Sequence, residues 1–480
     1  MVDLSRREIL TGGNVPVRTI ETPETERVHP LYAWMLPQWR FFLAAYEGGR
    51  AFTAESGYLF SHQRETPEDR AFRLRRVVYY NYCRSIIDVY LSHLYKKGVL
   101  RESSSLRYRE FLQDVDLCGS DADSFMTQSV APLAFALGTV FVVVDMPPAG
   151  GDYRSRGDEL AAGLRPYARF LMPMDVVDWE TDSLGAYRWI KIREEHSQAR
   201  EITGGSKKTQ VRYRVWTPEK WFLLDENDNY VNPHGASGEP HPVGRVPVVK
   251  VMCEKSLAAP DFGISFLQDI APIAQKIYNL ASLLDEFLYK QCFSFLAWPG
   301  EIHEERLGAS NVANFDPESG SPPVYVTPPT DPAKFLESQI ARNIEEIYRL
   351  ARIEYAGNHP RVAQSGFAKA IDFHDTNNML AKKASHLEAA ERAIARIFFR
   401  WTGEKAAANV IYPREFNVKA INDEIAEAIQ ALSLGIAPTF VKHVKRRLAA
   451  RFLPNLEEKE RRKIENEIEK SSEYRVSSSE

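Results

Sequence analysis

Three long runs between residues 266 and 402 place an apolar residue every three or four positions, and a proline- and glycine-rich stretch separates the first two. A 3.6-residue period held over many turns is the mark of a long amphipathic helix, so this region restricts the fold more than any other. In FLQDIAPIAQKIYNLASLLDEFLYKQ the stripe is Leu267, Ile270, Ala274, Ile277, Ala281, Leu284 and Leu288, a seam for a partner helix. Pro272 belongs in its first turn, with Asp269 as N-cap. In TDPAKFLESQIARNIEEIYRLARIEYAG the stripe is Leu336, Ile340, Ile344, Ile347 and Ala351. Asp331 is expected to cap this second helix, Pro332 to sit at its first position, Glu345 to pair with Arg349, and Gly357 to stop it. Residues 293–331 between them hold the strand-like pieces FLAW and PVYVT. The simplest reading is an antiparallel helix pair with a small β module at its tip.

The third run follows a polar loop, NHPRVAQSG, with Ser365 as a possible cap. Its later half carries Leu380, Ala384, Leu387, Ile394, Phe398 and Trp401, whereas its earlier half, DFHDTNN, has almost no apolar stripe. One helix therefore runs from a polar environment into a packed one. The stretch QSGFAKAIDFHDTNNMLAKKASHLE invites a metal or acid/base reading through His374, Asp375, His386 and Glu388. A metal held on one helix wants ligands at i and i+4. Twelve residues separate the two histidines, too many turns for one ion, and a polar helix face is the better reading.

Residues 1–265 mix helix and strand. HPLYAWMLPQWRFFLAAYEGG reads as helix after Pro37, ending at Gly48-Gly49. RAFRLRRVVYYNYCRSIIDVYLSHLYKKGV reads as one long helix with Val78, Cys83, Ile86, Ile87, Tyr90, Leu91 and Leu94 inside, and SFMTQSVAPLAFALG as more helix. TVFVVVDMP is a buried strand. YARFLMPMDVVDWE, YRWIKIREEH, QVRYRVWTPEKWFLLD and RVPVVKVM supply further strands, alternating enough for an antiparallel sheet, with DENDNY as a turn. The fold class is α+β. After residue 402 come a strand candidate, ANVIYPREFNV, and helical segments; SSEYRVSSSE reads as disordered.

Composition narrows the function classes. Hydrophobic content of 44% and charged content of 26% are ordinary for a soluble protein, and no apolar run approaches the length that spans a bilayer. Cys83, Cys118, Cys253 and Cys292 form no CxxC pair, which argues against a zinc knuckle or disulfide framework and fits a reducing compartment. MVDLSRREIL has no signal-peptide core. A net charge of −4 is wrong for a protein that grips nucleic acid statically over its whole surface, although basic stretches occur locally. GGSKKT at 204–209 fails the phosphate-loop spacing and reads as a hairpin. ALSLGIAPTFVKHVKRRLAARF resembles a helix-turn-helix with Gly435 in the turn and Lys442, Lys445, Arg446, Arg447 and Arg451 on a basic helix; an exposed helical cap is the better reading. No nucleophile, kinase or dinucleotide motif is present.

The order of these parts resembles the portal proteins of tailed bacteriophages, over about residues 30 to 470. On that resemblance residues 1–265 are the wing, 266–292 the first stem helix, 293–331 the clip and 332–356 the second stem helix. Residues 357–366 are then the tunnel loop, 367–402 the long inner helix, 403–418 a return strand to the wing, 419–470 the crown and 471–480 a disordered tail. The resemblance implies a homo-oligomeric ring of about twelve subunits at one capsid vertex, with double-stranded DNA passing through its channel. Asn358, His359, Arg361, Gln364, Lys369, Lys382 and Lys383 would line that channel, and Glu301, His303, Glu304, Glu305, Arg306 and Asn311 would dock partners at the clip. Those partners would be the large terminase subunit, head-completion or adaptor proteins, and the major capsid and scaffolding proteins. No membrane, cofactor, metal or enzymatic activity is implied, and the protein would be assembled in the host cytoplasm and reside in the virion. Sparse lysines in an acidic protein suit a channel that must touch DNA without holding it. The alternative is a metal-dependent carboxylate hydrolase or nuclease using Asp145, Asp175, Asp178 and Glu180, which otherwise serve as turn formers and caps. A monomeric helical scaffold for a protein partner is a third reading.

Overall fold

The computed structural model describes residues 28–63, 65–147, 164–197, 209–231, 237–291, 295–299, 312–315, 324–326, 330–353, 366–416, 430, 437–452, 460, 463, 464 and 466–468, with Gly366–Asp375 described by backbone alone. The chain divides into two compact units, Met1–Arg414 and Glu415–Glu480. The larger unit mixes helix and sheet, so its class is α+β.

Helix α1 (Pro30–Glu47) begins earlier than expected and carries Pro37 inside it. A proline there deprives the Ala33 carbonyl of its helical donor. Tyr32, Met35, Leu36, Trp39 and Phe42 lie on the buried side of this helix, and their burial outweighs the lost hydrogen bond. His29 caps its first turn and stacks on Trp179 with ring centroids 3.9 Å apart. After α2 (Gly49–Thr53) the single long helix expected next is two, α3 (Pro67–Arg76) and α4 (Tyr82–Tyr95). The break has a cause. Asn81 accepts from the Arg84 amide and donates to the Tyr46 carbonyl, both at 2.8 Å, so it caps α4 and pins it to α1. The extended residues between alternate, Val77 and Tyr79 buried, Val78 and Tyr80 exposed. The remaining α4 positions named from the sequence (Cys83, Ile86, Ile87, Tyr90, Leu91 and Leu94) are all buried.

Strand β1 (Leu100–Ser103), α5 (Leu106–Gln113), α6 (Ala122–Phe125), a π-helical turn and α7 (Ala131–Leu137) lead to β2 (Thr139–Asp145), every residue of which is buried. Then come β3 (Tyr167–Leu171), β4 (Val176–Thr181), β5 (Tyr187–Ser197), β6 (Thr209–Trp216), β7 (Lys220–Leu224), β8 (Glu239–Pro240) and β9 (Val248–Met252). β2 is the centre of an antiparallel sheet in the order β3-β2-β9, and β4 to β8 form an antiparallel meander. The Asp225 carboxylate accepts from the Asn227 and Asn229 amides and shapes the turn after β7. Gly138, with φ of +81°, and Gly263 pass backbone to backbone: a Cβ on Gly138 would lie 2.3 Å from the Gly263 carbonyl oxygen.

Helix α8 (Ala271–Gln291) follows, with Pro272 in its first turn, then β10 (Phe295–Pro299), β11 (Val312–Phe315), β12 (Val324–Val326) and α9 (Asp331–Leu350). The three strands form one small sheet in the order β11-β10-β12, β10 and β11 parallel, β10 and β12 antiparallel. FLAW and VYV are its strands as expected; VANF is a third the sequence did not mark. α8 and α9 pack side by side. Tyr90 stacks edge-on against Phe266, just before α8, and its hydroxyl donates to the Ala351 carbonyl, just after α9. The end of α9 thus returns beside the start of α8, so the pair is antiparallel. Thr330, not Asp331, holds the N-cap position of α9, and Arg349 pairs with Glu346 at 2.5 Å.

The longest element is α10 (Gly366–Thr402), 37 residues and about 55 Å long. Leu380, Ala384, Leu387, Ile394 and Phe398 are buried, and the helix packs on β2 and β9. Trp401 donates to the Val144 carbonyl at 2.8 Å. β13 (Ala408–Ile411) then pairs with β1 across some 300 residues of sequence, Leu100 opposite Ile411. In the smaller unit α11 (Pro438–Phe452) is helical as expected, and Lys442, Lys445 and Arg446 on it are half-buried. Gly435, residues 204–208, Gly357, Ser365, 1–10 and 471–480 lie outside the described residues.

Candidate functional site

The sequence places its site on α10 and on the module between α8 and α9. The backbone of Lys369 lies in the first turns of α10. Asn358, His359, Arg361 and Gln364, and the module residues Glu301, His303, Glu304, Glu305, Arg306 and Asn311, lie outside the described residues, as do the side chains of His374 and Asp375.

Lys382 and Lys383, neighbours in sequence, meet different fates. Lys382 is 59% exposed and its Nζ donates to Glu254 Oε1 at 2.5 Å. Lys383 is 4% exposed: its ammonium sits 3.1 Å from Cys253 Sγ, 3.9 Å from Glu254 Oε2, and 5.3 and 5.2 Å from the ring centroids of Phe135 and Phe266. The expectation that Lys383 lines a channel is therefore corrected. A helix turns 100° per residue, so Lys383 falls on the inward stripe with Leu380, Ala384 and Leu387 while Lys382 falls outside it. The two aromatic faces and Glu254 replace water around its charge. The Lys382 hydrogen bond holds the Glu254 carboxyl below its ordinary range, and burial pushes the Cys253 thiol up. His386, one turn on, is pulled down by burial and by Lys382, Lys255 and Lys383. It lies in a cationic neighbourhood, the opposite of a metal site.

Further along α10, acids face inward. Glu391 accepts from Arg101 Nε at 2.6 Å and Nη2 at 2.9 Å, and from the Tyr412 hydroxyl, which itself lies 3.3 Å from the Tyr95 hydroxyl. Burial and the Glu391 charge drive the Tyr412 phenol well above its ordinary value. Burial opposes the charge on Arg101, but hydrogen bonds and charge from Glu391 and Asp123 prevail and raise it. Glu388 pairs with Arg392 and Arg414, both at 2.9 Å, and accepts from the Tyr412 amide at 3.0 Å. These acids clamp β1 and β13 onto α10. Sequence reading did not single out Arg101 or Glu391, because no local pattern marks an ion pair whose partners lie 290 residues apart.

Asp145, Asp175, Asp178 and Glu180 do not converge. Asp145 is buried, which raises its carboxyl, and it accepts from the Met146 amide. Asp175 caps the Met172 amide, Asp178 accepts from the Trp179 amide, and Glu180 accepts from Trp189 Nε1. Among the described residues one trio of metal-type ligands comes within 4.8 Å of one another, His62, Glu65 and Glu286. The buried Arg73 already occupies it, with Nη1 at 2.6 Å from Glu65 and Nε at 3.7 Å from Glu286 and 3.0 Å from Ser282 Oγ. An arginine there supplies the positive charge a metal would bring. Among the described residues no helix is long and apolar enough to cross a membrane. No protein-family model and no curated protein matches this chain.

Proposed function

We propose that this chain is a portal protein of a tailed bacteriophage, one subunit of a ring at a single capsid vertex through which double-stranded DNA is packaged and ejected. The observation that carries the reading is the order of parts: an α+β body, an antiparallel pair of long helices with a three-stranded module at its tip, a 37-residue helix, and a strand returning to the body. A helix pair with a small sheet between its ends suits a tube wall with a docking tip. The exposed Leu288, Tyr289 and Phe335 near that tip are apolar surface that a neighbouring copy would cover. In a closed ring Arg361, Lys369 and the exposed Lys382 each become a circle of charge repeated in every subunit. The tip would receive the large terminase subunit during packaging and head-completion or adaptor proteins later, while capsid and scaffolding proteins contact the body. ATP hydrolysis belongs to the motor in this scheme. The acids on which the hydrolase alternative rests bond backbone amides and an indole in this fold, and divalent-metal-dependent nuclease activity would favour that alternative.

Light scattering followed by negative-stain imaging tests the reading. A closed ring of about a dozen subunits with a central hole is expected. A chain that stays monomeric alone and when co-expressed with its scaffolding protein overturns it.

A further inference from the structure

A second charged surface runs along α10 from the buried acids toward its C-terminal end. Arg392, Arg396 and Arg400 follow one another at intervals of four residues, and all three are exposed. Four residues advance a helix by about 6 Å and turn it by about 40°, so the three guanidinium groups form a slightly coiled row. Arg245, exposed in the loop before β9, joins the row. Arg400 Nη1 lies 3.8 Å from the position of a Cβ on Gly244, and Arg400 donates to the Val243 carbonyl at 2.9 Å. Partial burial and then the charges of Arg400 and Arg396 draw the Arg245 guanidinium down. Arg392 is held by Glu388. Among the described residues neither Arg245 nor Arg396 has a carboxylate within ion-pair distance.

The row is one wall of a groove. A hollow of about 350 Å³ is bounded by the three arginines, Phe399 and the small residues Ala406, Ala407 and Ala408, without a carboxylate. It shares Arg392, Ala407 and Ala408 with a second opening of about 730 Å³, where Arg109 adds a cation, Arg101 is already paired with Glu391 and Asp123, and Glu102 is the one acid on the lining. Alanines on the facing wall let a polymer backbone come close. Guanidinium groups present planar, always-charged forks that match phosphate oxygens. Repeated cations that repel one another call for a repeated anion.

We propose that this groove binds the phosphate backbone of nucleic acid without reading its sequence. The site is complete in one chain, so it does not depend on ring formation. Phosphate-dominated binding makes the logarithm of affinity fall linearly with the logarithm of salt concentration, with a slope of about −0.9 per phosphate neutralised on a duplex. The test is fluorescence anisotropy of a labelled DNA duplex with the full-length protein, from about 50 to about 200 mM salt. R245Q/R396Q, both at exposed positions, is expected to lower the slope by about 1.8 and the low-salt affinity at least tenfold, with unchanged thermal unfolding. R245K/R396K is expected to keep most of the slope. The proposal is overturned if the wild-type chain does not bind the duplex at low salt, or if R245Q/R396Q leaves the slope unchanged. It is overturned equally if the slope falls only in R361A/K369A, which would assign the binding to the channel, or if a poly-glutamate peptide binds the groove more tightly than the duplex.

Discussion

Replacing Glu391 by leucine asks how much the inward-facing acids of α10 contribute to the body. Glu391 and Arg101 are each 7% exposed and joined by two charge-assisted hydrogen bonds of 2.6 and 2.9 Å. Breaking a buried pair by removing one partner costs about 3–5 kcal/mol, because the other charge stays desolvated. Arg101 would keep Asp123 at 2.6 Å, but that carboxylate is 61% exposed and screened, which places the cost near about 3 kcal/mol. The Tyr412 hydroxyl also loses its acceptor, adding about 1 kcal/mol, with the Tyr95 hydroxyl as its remaining neighbour. E391L is therefore expected to lose about 4 kcal/mol. R101L/E391L removes both charges together and should fall within about 1 kcal/mol of wild type, far less than the loss from E391L alone. Urea unfolding followed by tryptophan fluorescence measures the totals, and amide exchange in β1 and β13 shows whether the loss is local. An E391L change below about 0.5 kcal/mol, the range of an ordinary surface substitution, would refute the assignment of this pair as the clamp between α10 and the β1-β13 sheet.

Gly138→Ala should be severe, by several kcal/mol or failure to fold, because a Cβ there meets the Gly263 carbonyl at 2.3 Å; Gly185→Ala, with similar φ and open space, should lose only about 1–2 kcal/mol of backbone strain, and equal losses would show that the close approach is unimportant. Lys383→Met fills the same buried space without a charge and should leave thermal stability unchanged or raised, whereas Lys383→Ala leaves a cavity and should lower it by about 2–4 kcal/mol; the reverse order would contradict the buried placement. Glu194 is depressed despite burial because Arg214 and Arg169 flank it. Its folded value lies below its unfolded one, so its contribution is complete above about pH 4.5 and is lost as pH falls through the folded value. Glu194→Gln should lower stability at neutral pH and flatten the acid limb of the stability curve between about pH 5 and pH 3; an unchanged limb would contradict the pairing.

The helix pair and the packed half of α10 were readable from local period, and two strands of the small β module from their apolar pieces. The stripe through Leu267, Ile270, Ala274, Ile277 and Ala281 is buried as the sequence pattern implies, while Leu284 is half-buried and Leu288, at its end, is exposed. Local signals also carried the buried strand at Thr139–Asp145 and the meander after it. They failed at Pro37, where the packing of Tyr32 and Trp39 overrides a helix-breaking residue, and at Asn81, whose link to Tyr46 splits one apparent helix into two.

The candidate sites divide the same way. Sequence alone determined that α10 changes from polar to apolar along its length, since hydrophobic period is written in neighbouring residues. It could not separate Lys382 from Lys383, because one step of 100° decides between water and the faces of Phe135 and Phe266. Nor could it assemble the arginine groove, where Arg245 meets Arg400 across some 150 residues, or the clamp joining Arg101 to Glu391. Burial, charge pairing and the spacing of cations across separate elements exist only once the chain has folded, because desolvation and Coulomb energies depend on distance in space and not on separation along the chain.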